Sequence, residues 1–413
     1  MRTRLHWFAW LMSFAFAMQP LAARAVPAGA SGHAIVVVIS LGGFRWDYPK
    51  RDGAAHLLAL GKRGVSAAQG MLPSYPASTW PNLYTVATGL YPGHHGIVAD
   101  AFIDPATHAR FAAGDKSSDE GSWYGGTPLW SLAAHAGIRT GCIEWPGCAA
   151  EIAGARPIYV ASKQNSDAEA GVRQITAWLR LPESDRPRLI LARFDEADEA
   201  GRKYGPDAPE TRAAVRRADA VIGRLQAALN ATRLPIDLVV VSDHGMVENE
   251  GAGESLDQFA DLSGFDTEGA LLYGKSEEAR TRVYNQIKKA SPDFFAFRIK
   301  NLPAGLHLDG NPRIGNPVIV PTGAYLIRAR AAGAQPDLHS DRGIGGLDPR
   351  TVPAMKAIFF AAGPDIVEAT TVAPFENVNL YPWLAYLLGL TPPKTDGSLN
   401  ILSGTLRDGG EKQ

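Results

Sequence analysis

The sequence predicts an α/β fold: a doubly wound, mostly parallel sheet with helices on both faces and a small insertion at its edge. Two observations lead there. Apolar, β-branched runs recur along the chain and alternate with stretches of helical periodicity, the pattern of a parallel sheet covered on both sides. Several of these runs end in glycine, aspartate or histidine, as strands do when they deliver the chain to loops at a functional edge.

The elements follow in order. "HAIVVVIS" is a strand too apolar to face water on either side, and it ends in Gly42 and Gly43. "STWPNLYTVATGL" carries Thr79 ahead of Pro81 and an apolar helical pattern, and proline near a helix start is favourable. The helical "TPLWSLAAHAG" precedes the strand "IRTGCIEWPG", and "AEAGVRQITAWLRL" precedes "RLILARFDEAD". The long helical stretch "ETRAAVRRADAVIGRLQAALNAT" leads into the strand "PIDLVVVSDHGM". A last strand is expected in "VPAMKAIFFAAGP". Between Gly245 and Arg342 the pattern loosens. There "DFFAFRIKNLPAGLHL" and "NPVIVPTGAYLIRAR" read as short antiparallel strands of an insertion covering about residues 250–342.

Residues 1–25 read as a secretory signal peptide. Arg2 and Arg4 begin it, Leu5 to Met18 is apolar, and Ala23-Arg24-Ala25 is a small-x-small cleavage site. A membrane anchor is the alternative, but the apolar stretch falls short of the roughly 20 residues a span needs. The expected product is one domain over residues 26–406, with 407–413 a frayed tail, located in the periplasm or secreted. No later segment is apolar enough to span a bilayer. The net charge of −1, more acidic once Arg2, Arg4 and Arg24 are removed, excludes a basic nucleic-acid-binding or anionic-membrane-binding surface as the main character. The two cysteines, Cys142 and Cys148 in "GCIEWPGC", either close a small disulfide loop in an oxidising compartment or stay as buried thiols.

Candidate chemistry sits at the strand ends. Thr79 at a helix start is an N-cap, or a nucleophile if something lowers its pKa. Asp243 and His244 directly follow a buried strand, where they are either hard-metal ligands or a capping pair. Arg45 and Asp47 read as a local ion pair.

Together, "SLGGFRWDY", "STWPNLYTVATGLYPGHHGIV", "WYGGTPLW", "EWPG", "EADEAGRKYGP", "VVVSDHGM", "NPRIG", "MKAIFFAAGP" and "ENVNLYPWLAYLLGL" resemble the nucleotide pyrophosphatase/phosphodiesterase family of the alkaline phosphatase superfamily, in this order and spacing. The resemblance implies an alkaline phosphatase-like fold and a two-zinc phosphodiester hydrolase. It makes Thr79 the nucleophile, Asp100 the position of a phosphoryl-binding asparagine, and Trp80 the aromatic that stacks on a base. The expected substrate is a nucleotide or another phosphodiester small molecule. The family also carries histidine at His94 and His95 without metal, which gives both a structural role here.

The metal ligands depart from that pattern. Asp198, Asp243 and His244 are retained, but Gly42 stands in place of an aspartate, and Arg202 and Gly345 in place of histidines. A catalytic zinc normally takes three protein ligands, and a guanidinium has no lone pair to offer. Asp100, if ionised, repels the phosphate an asparagine would bind. Asp198 and Arg202 are four apart, the helical spacing of an ion pair, so Arg202 is expected to lie in the first metal site and neutralise Asp198. His307 and His339 are distant candidates for a replacement ligand. The expectation is an exported family member with zinc weak or absent and phosphodiester hydrolysis lost or severely weakened, kept as a ligand- or partner-binding pseudoenzyme. The alternative is an active one-metal phosphodiesterase with Thr79 as nucleophile.

Overall fold

The computed structural model describes residues 34–161, 167–251, 255–308, 310–330 and 341–410. The segment read as a signal peptide (residues 1–25), His339 and the last three residues of the tail lie outside them.

Eight strands form the main sheet: β1 (Ile35–Leu41), β2 (Val65–Ala67), β3 (Thr140–Ile143), β4 (Tyr159–Ala161), β5 (Leu189–Phe194), β6 (Ile236–Val241), β7 (Phe359–Ala362) and β8 (Thr370–Val372). Their order is β8-β2-β7-β6-β1-β5-β3-β4. β1 is central and parallel to both neighbours, Val38 standing opposite Leu191 of β5 and Val239 of β6. All seven residues of β1 are buried, as an unbroken run of β-branched side chains requires.

The two faces of β1 serve two cores. Val36 and Val38 point to one side with Leu191, Val239 and Val241, against helices α2 (Thr79–Thr88), α3 (Leu129–His135) and α7 (Leu380–Leu387). Val37 and Ile39 point to the other with Ile190 and Val240, against α1 (Ala55–Arg63), α4 (Ala168–Leu179) and α6 (Pro209–Thr232). Each such aliphatic side chain contributes roughly 1.5–3 kcal/mol by leaving water. A polar substitution at Val38 would therefore open the sheet between its layers.

β7 runs antiparallel to β6 and β2. The reason lies in its connection. Between β6 and β7 the described residues form the insertion, whose helix packs on the insertion's own strands, and the chain re-enters the sheet from the edge at which β6 ended. The insertion builds two small antiparallel sheets, Phe265–Glu268 with Leu271–Gly274 and Phe294–Phe297 with Val318–Pro321. With the helix Glu277–Ile287 they share a core of their own around Leu256, Leu272, Val283 and Ile319. Cys142, in β3, is bonded to Cys148, closing a loop over Glu144 and Trp145. No described helix is long and apolar enough to cross a membrane.

Candidate functional site

Three loops meet at the carboxyl ends of β1, β5 and β6. β1 hands over to Gly42, whose N–H donates to the Phe194 carbonyl at 2.8 Å. Gly43 follows with φ +58° and donates its N–H to Asp243 Oδ1 at 2.9 Å. A side chain at residue 43 would meet both the left-handed backbone and the Asp198 carboxylate above it, so only glycine fits there.

Asp243 and His244 leave β6 fully buried. Asp243 Oδ1 also accepts the His244 N–H at 2.9 Å. His244 Nδ1 donates to the Gly245 carbonyl at 2.6 Å, and Nε2 stands 3.3 Å from the Thr79 hydroxyl oxygen. Burial opposes the Asp243 charge, but His244, Arg193, the Thr79 hydroxyl and the Gly43 amide together hold its carboxyl below the usual range.

Thr79 is the first residue of α2, and Ser78 occupies the N-cap position. The N-cap reading of Thr79 is corrected by one residue: the first helical bond runs from the Asn82 N–H to the Ser78 carbonyl, at 3.3 Å. That frees the Thr79 hydroxyl for His244. The next amide, of Trp80, donates to Asp100 Oδ1 at 2.9 Å. A free N–H at a helix start is where a phosphate oxygen would dock, and here a carboxylate already takes it. Burial raises the Asp100 pKa, while the Trp80 amide and the charges of Arg202, His244 and Arg193 draw it back. The Trp80 ring meets Phe111 edge to face at 5.6 Å between centroids.

Asp198 lies on α5 (Glu196–Tyr204), nearly buried. Arg202 Nε donates to Asp198 Oδ2 at 2.8 Å, and its Nη1 stands 3.8 Å from Asp341 Oδ2. One turn of helix brings these groups together, as the spacing of four expects. A second guanidinium enters from β5, where Arg193 Nε lies 2.6 Å from Asp195 Oδ1. Sequence reasoning passed over this pair. Its signal was an arginine within the apolar run "LILARF", since charged residues are rarely buried without a partner.

Gly42 and Gly345, the two glycines expected at metal-ligand positions, lie against these residues. A β-carbon at Gly42 would stand 2.7 Å from Asp195 Oδ1 and 3.3 Å from Asp198 Cβ. One at Gly345 would stand 3.0 Å from His244 Cε1 and 3.1 Å from the Ala77 carbonyl oxygen. The donor set therefore does not fit two zinc ions. Asp198 is turned to a guanidinium, and among the described residues no group of three or more His, Cys, Asp or Glu could hold a metal ion. A cavity of about 520 Å³ borders Arg193, Asp195 and Glu144, and Thr79 is not among its lining residues.

The remaining candidates have structural roles. His95 accepts the Ile97 N–H on Nδ1 and bonds the Thr85 hydroxyl through Nε2, and burial lowers its pKa to about 3. His94 Nδ1 is 2.7 Å from Asp396 Oδ2. His307 stacks on Tyr91 at 3.8 Å between ring centroids. Arg45 and Asp47 form a two-point ion pair, at 2.6 and 3.0 Å.

The sequence matches the family model for type I phosphodiesterase / nucleotide pyrophosphatase over residues 36–345. It is 31% identical to an uncharacterized pyrophosphatase/phosphodiesterase of Schizosaccharomyces pombe, over 88% of this chain and 78% of that protein. Human ectonucleotide pyrophosphatase/phosphodiesterase family member 7 is 29% identical over 89% of this chain and 82% of its own length. Among solved structures, murine ectonucleotide pyrophosphatase/phosphodiesterase 5, an inactive threonine-to-alanine variant in complex with AMP, superposes with a TM-score of 0.84. It is 26% identical in sequence, and the match covers 90% of this chain and all of the murine one.

Proposed function

The chain belongs to the type I phosphodiesterase / nucleotide pyrophosphatase family of the alkaline phosphatase superfamily, and from that premise we propose that it is an exported member in which two-zinc phosphodiester hydrolysis is lost or severely weakened. The observation that carries this reading is the 2.8 Å bond from Arg202 to Asp198. It places a fixed positive charge where the first metal would take its ligands, and a guanidinium stays protonated. Gly42 and Gly345 remove one further ligand from each metal. Asp100 places a carboxyl group, already bonded to the Trp80 amide, where a phosphate would need a donor. Without metals, a threonine hydroxyl at neutral pH is a poor nucleophile.

Thr79, Asp243 and His244 persist as the framework of the ancestral centre. A retained ligand would be a nucleotide or another phosphodiester small molecule, with Trp80 as its aromatic contact. The AMP complex of the murine relative supports that class. Export rests on the amino-terminal sequence and is supported by the Cys142–Cys148 bond, since disulfides persist in oxidising compartments.

A second reading, a one-metal phosphodiesterase with Thr79 as nucleophile, draws on the 3.3 Å contact between Thr79 Oγ1 and His244 Nε2. One assay separates the two. Turnover of a chromogenic phosphodiester with added zinc should equal that of Thr79→Ala. A rate well above that control would replace the first reading with the second.

A further inference from the structure

Arg193 was not among the residues the sequence singled out, yet it is the charge on which most of the site converges. Its Nε lies 2.6 Å from Asp195 Oδ1, its side chain is 17% exposed, and its charge acts on Asp243, Asp198 and Asp100 as well. Arg202, on α5, is bonded to Asp198 and faces Asp341. Arg202 thus bonds one of the expected ligand carboxylates directly, and Arg193 stands against Asp195, three residues before Asp198.

Geometry ties the second pair to a missing ligand. Asp195 Oδ1 stands 2.7 Å from where a β-carbon at Gly42 would lie. An aspartate there would displace the Asp195 carboxylate from its place beside Arg193. Several buried carboxylates close together are strongly destabilising without compensating charge. Metals supply that charge in a hydrolase of this family; here it comes from side chains.

We propose that Arg193 and Arg202 are the resident cations of this centre, each standing in for one metal, so that the fold is held together at this edge without metal ions. The proposal rests on the loss of the zinc sites but goes beyond it: Asp198 Oδ1 and Asp243 Oδ2 are buried without a hydrogen bond of their own, so a site merely emptied by drift would gain stability from any added dication, whereas one compensated by the two guanidiniums would not.

The test is a pair of double-mutant cycles on the full chain, read by denaturant unfolding in zinc-free buffer and again with zinc chloride. Arg202→Met and Arg193→Met should each raise the unfolding equilibrium constant at least ten-fold. Arg202→Met with Asp198→Asn, and Arg193→Met with Asp195→Asn, should recover most of that loss, because no buried charge is then left alone. Should a single variant fail to fold while its neutral double variant folds, the result is the same. The unsubstituted chain should hold no stoichiometric zinc, and its midpoint should not shift with zinc or EDTA. The proposal is overturned if single and double variants are equally stable, or if zinc binds stoichiometrically and stabilises the unsubstituted protein. Loss of hydrolysis could still hold in the first case, so the two claims fail separately.

Discussion

Asp195 occupies the room that Gly42 leaves open: its Oδ1 is 2.7 Å from the point where a β-carbon of residue 42 would stand. A carboxylate that directly follows β5 has taken the space of one that would follow β1, and Arg193 Nε lies 2.6 Å from it. Restoring the ancestral ligands is therefore more than a matter of reverting them.

The variant Gly42→Asp, Arg202→His, Gly345→His, Asp100→Asn should remain free of stoichiometric zinc and inactive, and should melt below the parent. Adding Arg193→Leu and Asp195→Ala clears the collision at residue 42, and zinc content should then rise toward two per chain. Gly345→His asks a further adjustment, because its β-carbon would press on the His244 ring at 3.0 Å. Elemental analysis and turnover of a chromogenic phosphodiester check both variants. Single reversions should do little, because the ligands act as a unit.

Asp100→Asn alone should tighten the binding of AMP, by about ten-fold or 1.4 kcal/mol if the full carboxylate charge is removed from the phosphate's neighbourhood. An asparagine oxygen can keep the Trp80 N–H bond that Asp100 now accepts at 2.9 Å, so the helix start is preserved. Calorimetric titration at low salt measures the change. Equal affinities would show that the phosphate does not approach α2.

Much of this was legible in the sequence. The β-branched run of β1 fixes a strand buried on both faces, and four-residue spacing within a helix brings Arg202 to Asp198. The direction of β7 was not legible, because apolar periodicity carries no sign and the course of the insertion sets it. Nor was the Arg193–Asp195 pair. Arg193 is the last residue but one of β5 and Asp195 lies just beyond the strand, and the space Asp195 occupies is left by Gly42, just beyond the end of the neighbouring β1. A residue's partner across a sheet depends on register, which motif spacing does not encode.

The Cys142–Cys148 bond closes a short loop of sequence separation 6. In the chain-entropy account a loop of this size is worth about 2 kcal/mol. Cys142→Ser with Cys148→Ser, or reduction under mild conditions, should lower the melting temperature by a few degrees. Thermal melts with and without reductant measure it, and an unchanged midpoint would show that packing of Trp145 alone holds the loop.

Asp237, on β6, sets a pH dependence away from the candidate site. It is fully buried, and burial, with the Asp365 carboxyl close by, raises its pKa to about 7, while the Asp365 amide and Arg407 pull the other way. The unfolded value is near 3.9. Between these values the folded protein binds more protons than the unfolded chain, so stability falls as pH rises. The contribution is complete below about pH 4 and lost once the pH passes about 7, with an upper bound on the order of 4 kcal/mol. Asp237→Asn keeps an acceptor for the Asp365 N–H, which now lies 3.2 Å from Oδ1. It should therefore raise stability at pH 8 and change it little at pH 4.5. Unfolding curves at the two pH values decide the matter: an equal effect of the substitution at both would mean that Asp237 does not titrate in this window.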